Sequence, residues 1–397
     1  MRRRGSLAVA VIVGGSVTAS VRVKAQQFAP TTAPAQNWIS IASSADGTKL
    51  AAAGNYGYLY TSTDSGSNWA VSSTTTNGPE PQRPWTGLAA STDASKLIAV
   101  ANFSPVFIST NFGQSWSTSG PSQVWAAVAC SSDASKIAAA DGNMGLIYTS
   151  ADGGATWSPT TSPNKRWRCL ASSADGTRLV AGSDYGTNYG DLPKIYTSQD
   201  SGVTWNPTGA PNQPWQCVAS SADGSKLAAG VYSGLIYLST DSGTTWTPAN
   251  VPSLRWDGIA CSSNGKRLIA VAWEGQIYLS LDSGQTWTPA NAPSAQWQSV
   301  ACSTDGTKVL GAIWNQSTGT VGIYAAQFPP ELYILTTQAG PVLSWSSTLT
   351  GFTVQQSPDL SNGSWTDLGV MPQTSNGNNQ VSLSGTVGRH FYRLVHH

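Results

Sequence analysis

An all-β ring of seven repeated sheets, followed by a small second β-domain, is the fold that this 397-residue sequence predicts. Three observations predict it. The pattern S-x-D-x-G-x-x-W recurs six times, at residues 62–69, 109–116, 150–157, 198–205, 239–246 and 280–287, with Asn111 replacing the Asp in the second copy. A second tryptophan recurs seven times, as Trp38, Trp85, Trp125, Trp167, Trp215, Trp256 and Trp297, at intervals of 40–48 residues. That is the length of a four-stranded propeller blade. The seventh repeat stops after Ala325 without its fourth strand, while residues 28–38 align without a gap to residues 287–297. The chain's own beginning is therefore predicted to complete the last blade, which closes the ring and removes an exposed sheet edge.

One repeat shows how each blade is built. Residues 256–261, opened by Trp256, are strand a, and residues 262–265 are a Ser/Asn/Gly turn. Residues 267–272 are strand b and residues 276–280 are strand c. The S-x-D-x-G-x-x-W segment makes the c–d turn, with the Asp accepting backbone hydrogen bonds and the Gly supplying a positive φ. Residues 286–289 are strand d. Strand a keeps an alanine four residues after its Trp in every copy, from Ala42 to Ala301, as an innermost strand crowded around an axis requires. Residues 331–397 lack the repeat and show short alternating stretches between Gly and Asn turns, which reads as a small β-sandwich.

The repeated eight-residue segments resemble the Asp boxes (BNR repeats) of sialidase-superfamily β-propellers. The chain is most similar to the photosystem II stability/assembly factor family, a resemblance that implies a seven-bladed, non-enzymatic assembly chaperone. Xyloglucanase-type hydrolases and sortilin-type receptors share the same boxes. Residues 351–357, Trp365 and residues 391–394 resemble a C-terminal β-module of secreted bacterial proteins, which implies attachment or sorting. A sialidase site is not carried over. It needs three arginines for a carboxylate and a Tyr–Glu pair, whereas Arg178 and Arg267 fall at an a–b turn position that holds Lys in other repeats and reads as solvated.

Charged residues are only 10% of the chain, with a net charge of +1, which argues against nucleic acid as a partner. Arg2-Arg3-Arg4, the apolar stretch 7–17 and Ala25 read as a signal peptide over residues 1–25, and hence as export to the periplasm, cell surface or medium. That stretch is too short to span a bilayer, so no transmembrane segment is expected. The expected domains are then the propeller at 26–328 and the module at 331–397. The five cysteines are odd in number and fall in repeat phase, where other copies have Ser, Ala or Gly, so they read as small apolar filler rather than disulfides. All three histidines lie in the tail, at His390, His396 and His397, so no metal or other cofactor is expected in the propeller.

Eleven of the propeller's acids repeat in phase within the a–b turns and the boxes, where turn chemistry accounts for them. Six do not: Glu80, Asp141, Asp184, Asp191, Asp257 and Glu274. All six belong to the d–a links and b–c turns, which share the opposite, top face. The landmark Trp85, Trp125, Trp167, Trp215, Trp256 and Trp297 also begin there, either as inter-blade core or as binding rings. The b–c turns add Tyr56, Phe103, Met144, Tyr185, Tyr232, Trp273 and Trp314, with Arg166 and Arg255 beside them. Aromatic rings with arginine suit a recognition surface. The expected function is non-catalytic binding of a protein or carbohydrate at this face. A glycoside hydrolase using two of the unphased acids, as Asp184 with Glu274 or Asp141 with Asp257, and a structural cell-surface scaffold are the alternatives.

Overall fold

The computed structural model describes residues 10–13, 16–18, 27–72, 82–185, 192–314, 322–328, 333–337, 340–346, 352–358, 364–375, 378–383 and 390–396. These residues contain strands and turns and no helix. The chain divides into two compact units, Gln27–Ala326 and a second formed by Met1–Gln26 with Gln327–His397.

Within the first unit, the last four repeats are separate four-stranded antiparallel sheets. The first three join in one ten-stranded sheet, because Leu50–Gly57 pairs with Arg83–Ala90 through Asn55–Pro84 and Gly57–Arg83. The second repeat also runs its strands together: Leu97–Ser109 spans b and c, and Ser117–Cys130 spans its d and the next a. The last sheet takes its outer strand from the beginning of the chain, where Ala29–Pro30 pairs with Ile323–Gln327. Phe28 is buried beside this strand, with its ring 6.3 Å from that of Trp297.

Seven inner strands, each led by a landmark tryptophan, stand side by side, and the last lies against the first. Their a–b turns form an unbroken hydrogen-bonded circle. Ala45 N–H donates to Thr92 O, Thr92 to Ser132, Ser132 to Ala174, Ala174 to Ala222, Ala222 to Ser263, Ser263 to Thr304, and Thr304 back to Ala45, all at 2.7–2.8 Å. A second circle surrounds it. The basic residue of each a–b turn reaches the next repeat: Lys49 to Asp93 O at 3.1 Å, Arg178 to Ser242 Oγ at 2.6 Å, and Lys308 to Ser65 Oγ at 3.5 Å. The expectation that Arg178 and Arg267 sit in a solvated position is corrected here. Arg267 is buried and donates across the blade boundary to Gly306 O at 3.5 Å, because its turn packs under the neighbouring one.

The S-x-D-x-G-x-x-W turns share one set of bonds. In the fifth repeat, Ser239 Oγ donates to Asp241 Oδ1 at 2.8 Å and accepts the Gly243 N–H at 2.9 Å, while Asp241 accepts the Thr245 N–H. The Thr245 hydroxyl and backbone N–H hold the Asp241 carboxyl at about 2, well below its usual range. All five cysteines are free thiols. Burial pushes the thiols of Cys130, Cys169 and Cys261 up to about 12, as suits packing residues.

The second unit is a β-sandwich of two antiparallel sheets. One has the order Tyr333–Thr337, Gly340–Ser346, Asn378–Ser382, Gln373–Ser375; the other contains Phe352–Ser357, Thr366–Asp367 and His390–His396. Leu343, Trp345 and Val381 from one sheet meet Val354, Tyr392 and Leu394 from the other in a buried core. Ala10–Val13, from the apolar stretch 7–17, pairs with the edge of His390–His396 and with Ser16–Thr18. No helix among the described residues is long and apolar enough to cross a membrane.

Candidate functional site

The landmark tryptophans are not a binding surface. Trp85, Trp125, Trp167, Trp215, Trp256 and Trp297, with Trp38, each expose at most 1% of their area. Each packs edge-on against a strand-c aromatic of its own repeat, with centroids 5.1–5.6 Å apart, from Trp38–Tyr60 to Trp297–Tyr324. Several indole N–H groups donate to backbone carbonyls, as Trp125 does to Ser104 O at 2.9 Å and Trp256 to Gly234 O at 3.0 Å. A ring that repeats in every blade fills the same inter-blade gap in every blade, and burial of that much area makes it core.

The residue just after each tryptophan behaves differently. Every inner strand carries a β-bulge there, between Trp38 and Ser40 in the first repeat and between Trp297 and Ser299 in the last. A bulge re-aims the extra residue out of the sheet's alternation. The seven bulged residues are Ile39, Thr86, Ala126, Arg168, Gln216, Asp257 and Gln298, and all seven line one axial cavity of ≈ 640 Å³ at the top of the ring. Its wall is two-sided. Repeats one to three contribute Ile39, Thr86 and Ala126, and repeats four to seven contribute Arg168, Gln216, Asp257 and Gln298. At the opposite end, a second cavity of ≈ 300 Å³ is lined by the a–b turn residues of all seven repeats.

Of the predicted site residues, the structure gathers a subset at the top. Arg255 stacks on two rings, with its guanidinium 4.1 Å from the Trp273 centroid and 4.7 Å from that of Tyr232. Trp273 in turn tilts against Trp314 at 6.3 Å. Arg255 Nε donates to Asp257 Oδ1 at 3.1 Å. Asp184 Oδ2 takes Arg168 Nε at 3.2 Å and lies 3.9 Å from Arg166, which also lines the cavity. Tyr185 is exposed beside it and its N–H donates to Asp184 Oδ1 at 2.7 Å. Glu274 is exposed at a turn tip and does not line the cavity. In the first three repeats Tyr56, Phe103 and Met144 occupy left-handed backbone at φ 50°, 57° and 60°. Tyr56 and Phe103 are 66% and 81% exposed there. Bulky residues rarely adopt that conformation, and strain of this kind collects at functional surfaces.

The acids separate clearly. Asp257 is buried, and burial outweighs the Arg255 charge to push its carboxyl up to about 6. Asp141 is also buried and shifted upward by desolvation, but it is folded onto its own turn, where it accepts the Asn143 N–H at 2.8 Å. Glu80 and Asp191 lie outside the described residues. Among the described residues Asp257 is the one carboxylate lining the cavity. No three His, Cys, Asp or Glu side chains among them cluster to hold a metal.

Solved structures match this architecture. YCF48 bound to a D1 peptide aligns at a TM-score of 0.58 with 16% identity, over 77% of this chain and 96% of that one. YCF48 from Cyanidioschyzon merolae aligns at 0.57 with 13% identity, over 77% and 99%. The GH74 xyloglucanase from Xanthomonas campestris aligns at 0.59 with 14% identity, over 81% of this chain and 59% of that one. The ring is a β-propeller. The resemblance read from the repeated motifs therefore holds at the level of the fold, including the likeness to the photosystem II assembly factor. No protein-family model matches the propeller chain, and no curated protein does. A peptide-binding protein and a glycoside hydrolase stand together among the similar structures, so the propeller alone does not decide between binding and hydrolysis.

The sequence reading missed the bulged ring. Its signal was present: between an invariant Trp and a run of small and aliphatic residues, one position reads Ile, Thr, Ala, Arg, Gln, Asp, Gln around the seven repeats.

Proposed function

We propose that the protein is a non-catalytic binding propeller, and that its axial top cavity with the adjoining Arg255–Trp273 cluster holds a segment of another protein. The carrying observation is the cavity wall. Contacts that hold the ring together repeat from blade to blade, whereas the bulged residues vary, from Ile39, Thr86 and Ala126 in repeats one to three to Arg168, Gln216, Asp257 and Gln298 in repeats four to seven. A concave site lined by convergent polar side chains, with stacked aromatics beside it, suits an extended chain with its backbone amides and carbonyls. Hydrolysis of a glycoside would need a second carboxylate about 5–10 Å from Asp257. A peptide ligand is also what the YCF48 structure carries by its description. We extend the proposal to export, with removal of residues 1–25, which N-terminal sequencing of the protein from its source checks.

The test pairs capture with turnover. The full chain is screened against peptide and glycan arrays and against a panel of glycoside substrates. Peptide capture that falls on Arg255→Ala, with no turnover, is the expected result. Glycoside turnover abolished by Asp257→Asn would replace this reading with the hydrolase, and glycan capture without peptide capture would replace the ligand.

A further inference from the structure

Asp257 has an oxygen that the rest of the site does not use. Its side chain exposes none of its surface. Oδ1 takes the Arg255 Nε–H at 3.1 Å, while Oδ2 accepts no hydrogen bond of good geometry although the Gln216 amide lies near. A buried acceptor without a donor is costly, and native structures keep few of them. The bulge at 257 sets this carboxylate in the cavity wall. Gln216 and Gln298 hold the same bulged position in the repeats on either side, so the ring presents amide, carboxylate and amide in succession. Ile39 and Ala126 are the apolar bulged residues of the same wall.

We propose that the Gln216–Asp257–Gln298 arc receives a primary ammonium group of the ligand, with its aliphatic stem against Ile39 and Ala126. The protein origin of that group rests on the function proposed above; the ammonium site does not. Only one carboxylate oxygen is open, so a guanidinium fork cannot close on it in bidentate fashion. An ammonium is a compact charge with three donors, which one carboxylate oxygen and two amide carbonyls satisfy. The nearest other cations are already engaged: Arg255 with Asp257 itself, and Arg168 with Asp184 at 3.2 Å. Asp257 is roofed in the free protein, so entry moves the partly exposed Gln216 and Gln298 side chains, which turn their carbonyls to the incoming N–H groups.

Isothermal titration of the full chain with n-butylammonium, with butan-1-ol as the neutral control, reads the site directly. Saturable binding of the amine alone is expected. Asp257→Asn should weaken it about tenfold or more, and Gln298→Leu, which keeps the carboxylate, about threefold. Equal binding to wild type and Asp257→Asn, or no saturable binding to wild type, overturns the proposal. Peptide arrays with free amines, acetylated lysines or acetylated N-termini then identify the source, a lysine side chain or a chain terminus. Peptides captured regardless of acetylation would keep the protein-binding reading and sink the ammonium site. Amine binding without capture of any peptide would do the reverse.

Discussion

Replacing Asp257 with Asn should stabilise the propeller, and by an amount that depends on pH in one direction. The Asp257 side chain has no exposed surface, and desolvation outweighs the attraction of Arg255, lifting its carboxyl from the ordinary 3.8 to about 6. That rise corresponds to ~3 kcal/mol. The folded chain holds this proton more tightly than the unfolded chain does. Folding therefore takes up a proton between 3.8 and about 6, and the wild type loses stability as pH rises through that window. Asparagine has nearly the same shape, still offers an oxygen to Arg255 Nε and does not titrate. The other ionisable groups, the turn carboxylates among them, are common to both proteins and cancel. The stability gap between Asp257→Asn and wild type should be small near pH 4 and grow by ~3 kcal/mol by pH 7. Urea unfolding followed by tryptophan fluorescence at several pH values measures it. Parallel stability profiles for the two proteins would refute the idea that this carboxylate is held ionised against its surroundings.

Three further perturbations test other links. Phe103→Gly removes an 81% exposed ring from backbone at φ 57°, so melting should rise slightly, by ~1 kcal/mol of relieved strain, while ligand capture falls; a destabilised variant would contradict the strain. Ser239→Ala leaves the buried Gly243 N–H without its acceptor and should cost ~1–3 kcal/mol in denaturant unfolding, whereas a neutral result would mean the turn does not depend on that bond. Deleting residues through 33 removes the Ala29–Pro30 strand and the Phe28 ring from the last blade. The melting temperature should drop by several degrees, and an unchanged melt would show that the ring does not need this closure.

Much of the fold was legible because its strongest constraints recur. A turn that needs Ser, Asp and Gly at fixed offsets prints the same letters wherever it occurs, as residues 239–246 and 280–287 show. The gapless match of residues 28–38 to 287–297 located the closing strand for the same reason. Recurrence left the site open, however. The landmark tryptophans begin the top face, where the sequence allows them as inter-blade core or as binding rings. A side chain that fits every blade boundary belongs to the boundary, and all seven are buried. The basic a–b turn position was read as solvated because Lys and Arg alternate there; what both side chains provide is length, enough to bridge to the next turn. Arg255, Tyr232, Trp273 and Trp314 were all among the top-face candidates, and the structure stacks them because their turns adjoin in the ring. Their stacking order was not readable from spacing.

The two ends of the axis show what a ring of repeats can and cannot do. At the bottom, each turn donates to the next in a closed circle of seven bonds, and any change in one turn is felt by two neighbours. Such a face is held to near-identity by its own geometry, and a lining of like residues offers a ligand no preferred orientation. At the top, the bulge lifts one residue per strand out of the ladder, so its identity is free of the pairing that fixes the others. Seven independent choices follow, and this chain places isoleucine, threonine and alanine in repeats one to three and its amides and charges in four to seven. The strained Tyr56 and Phe103 lie above the side formed by repeats one to three, and the Arg255–Trp273 stack lies above the other. A ligand seated there would be held in one rotational orientation by the same wall that recognises it. Exchanging Ile39 with Gln298 would spread the two sides into each other while leaving every ladder bond intact, and should weaken capture without lowering the melting temperature.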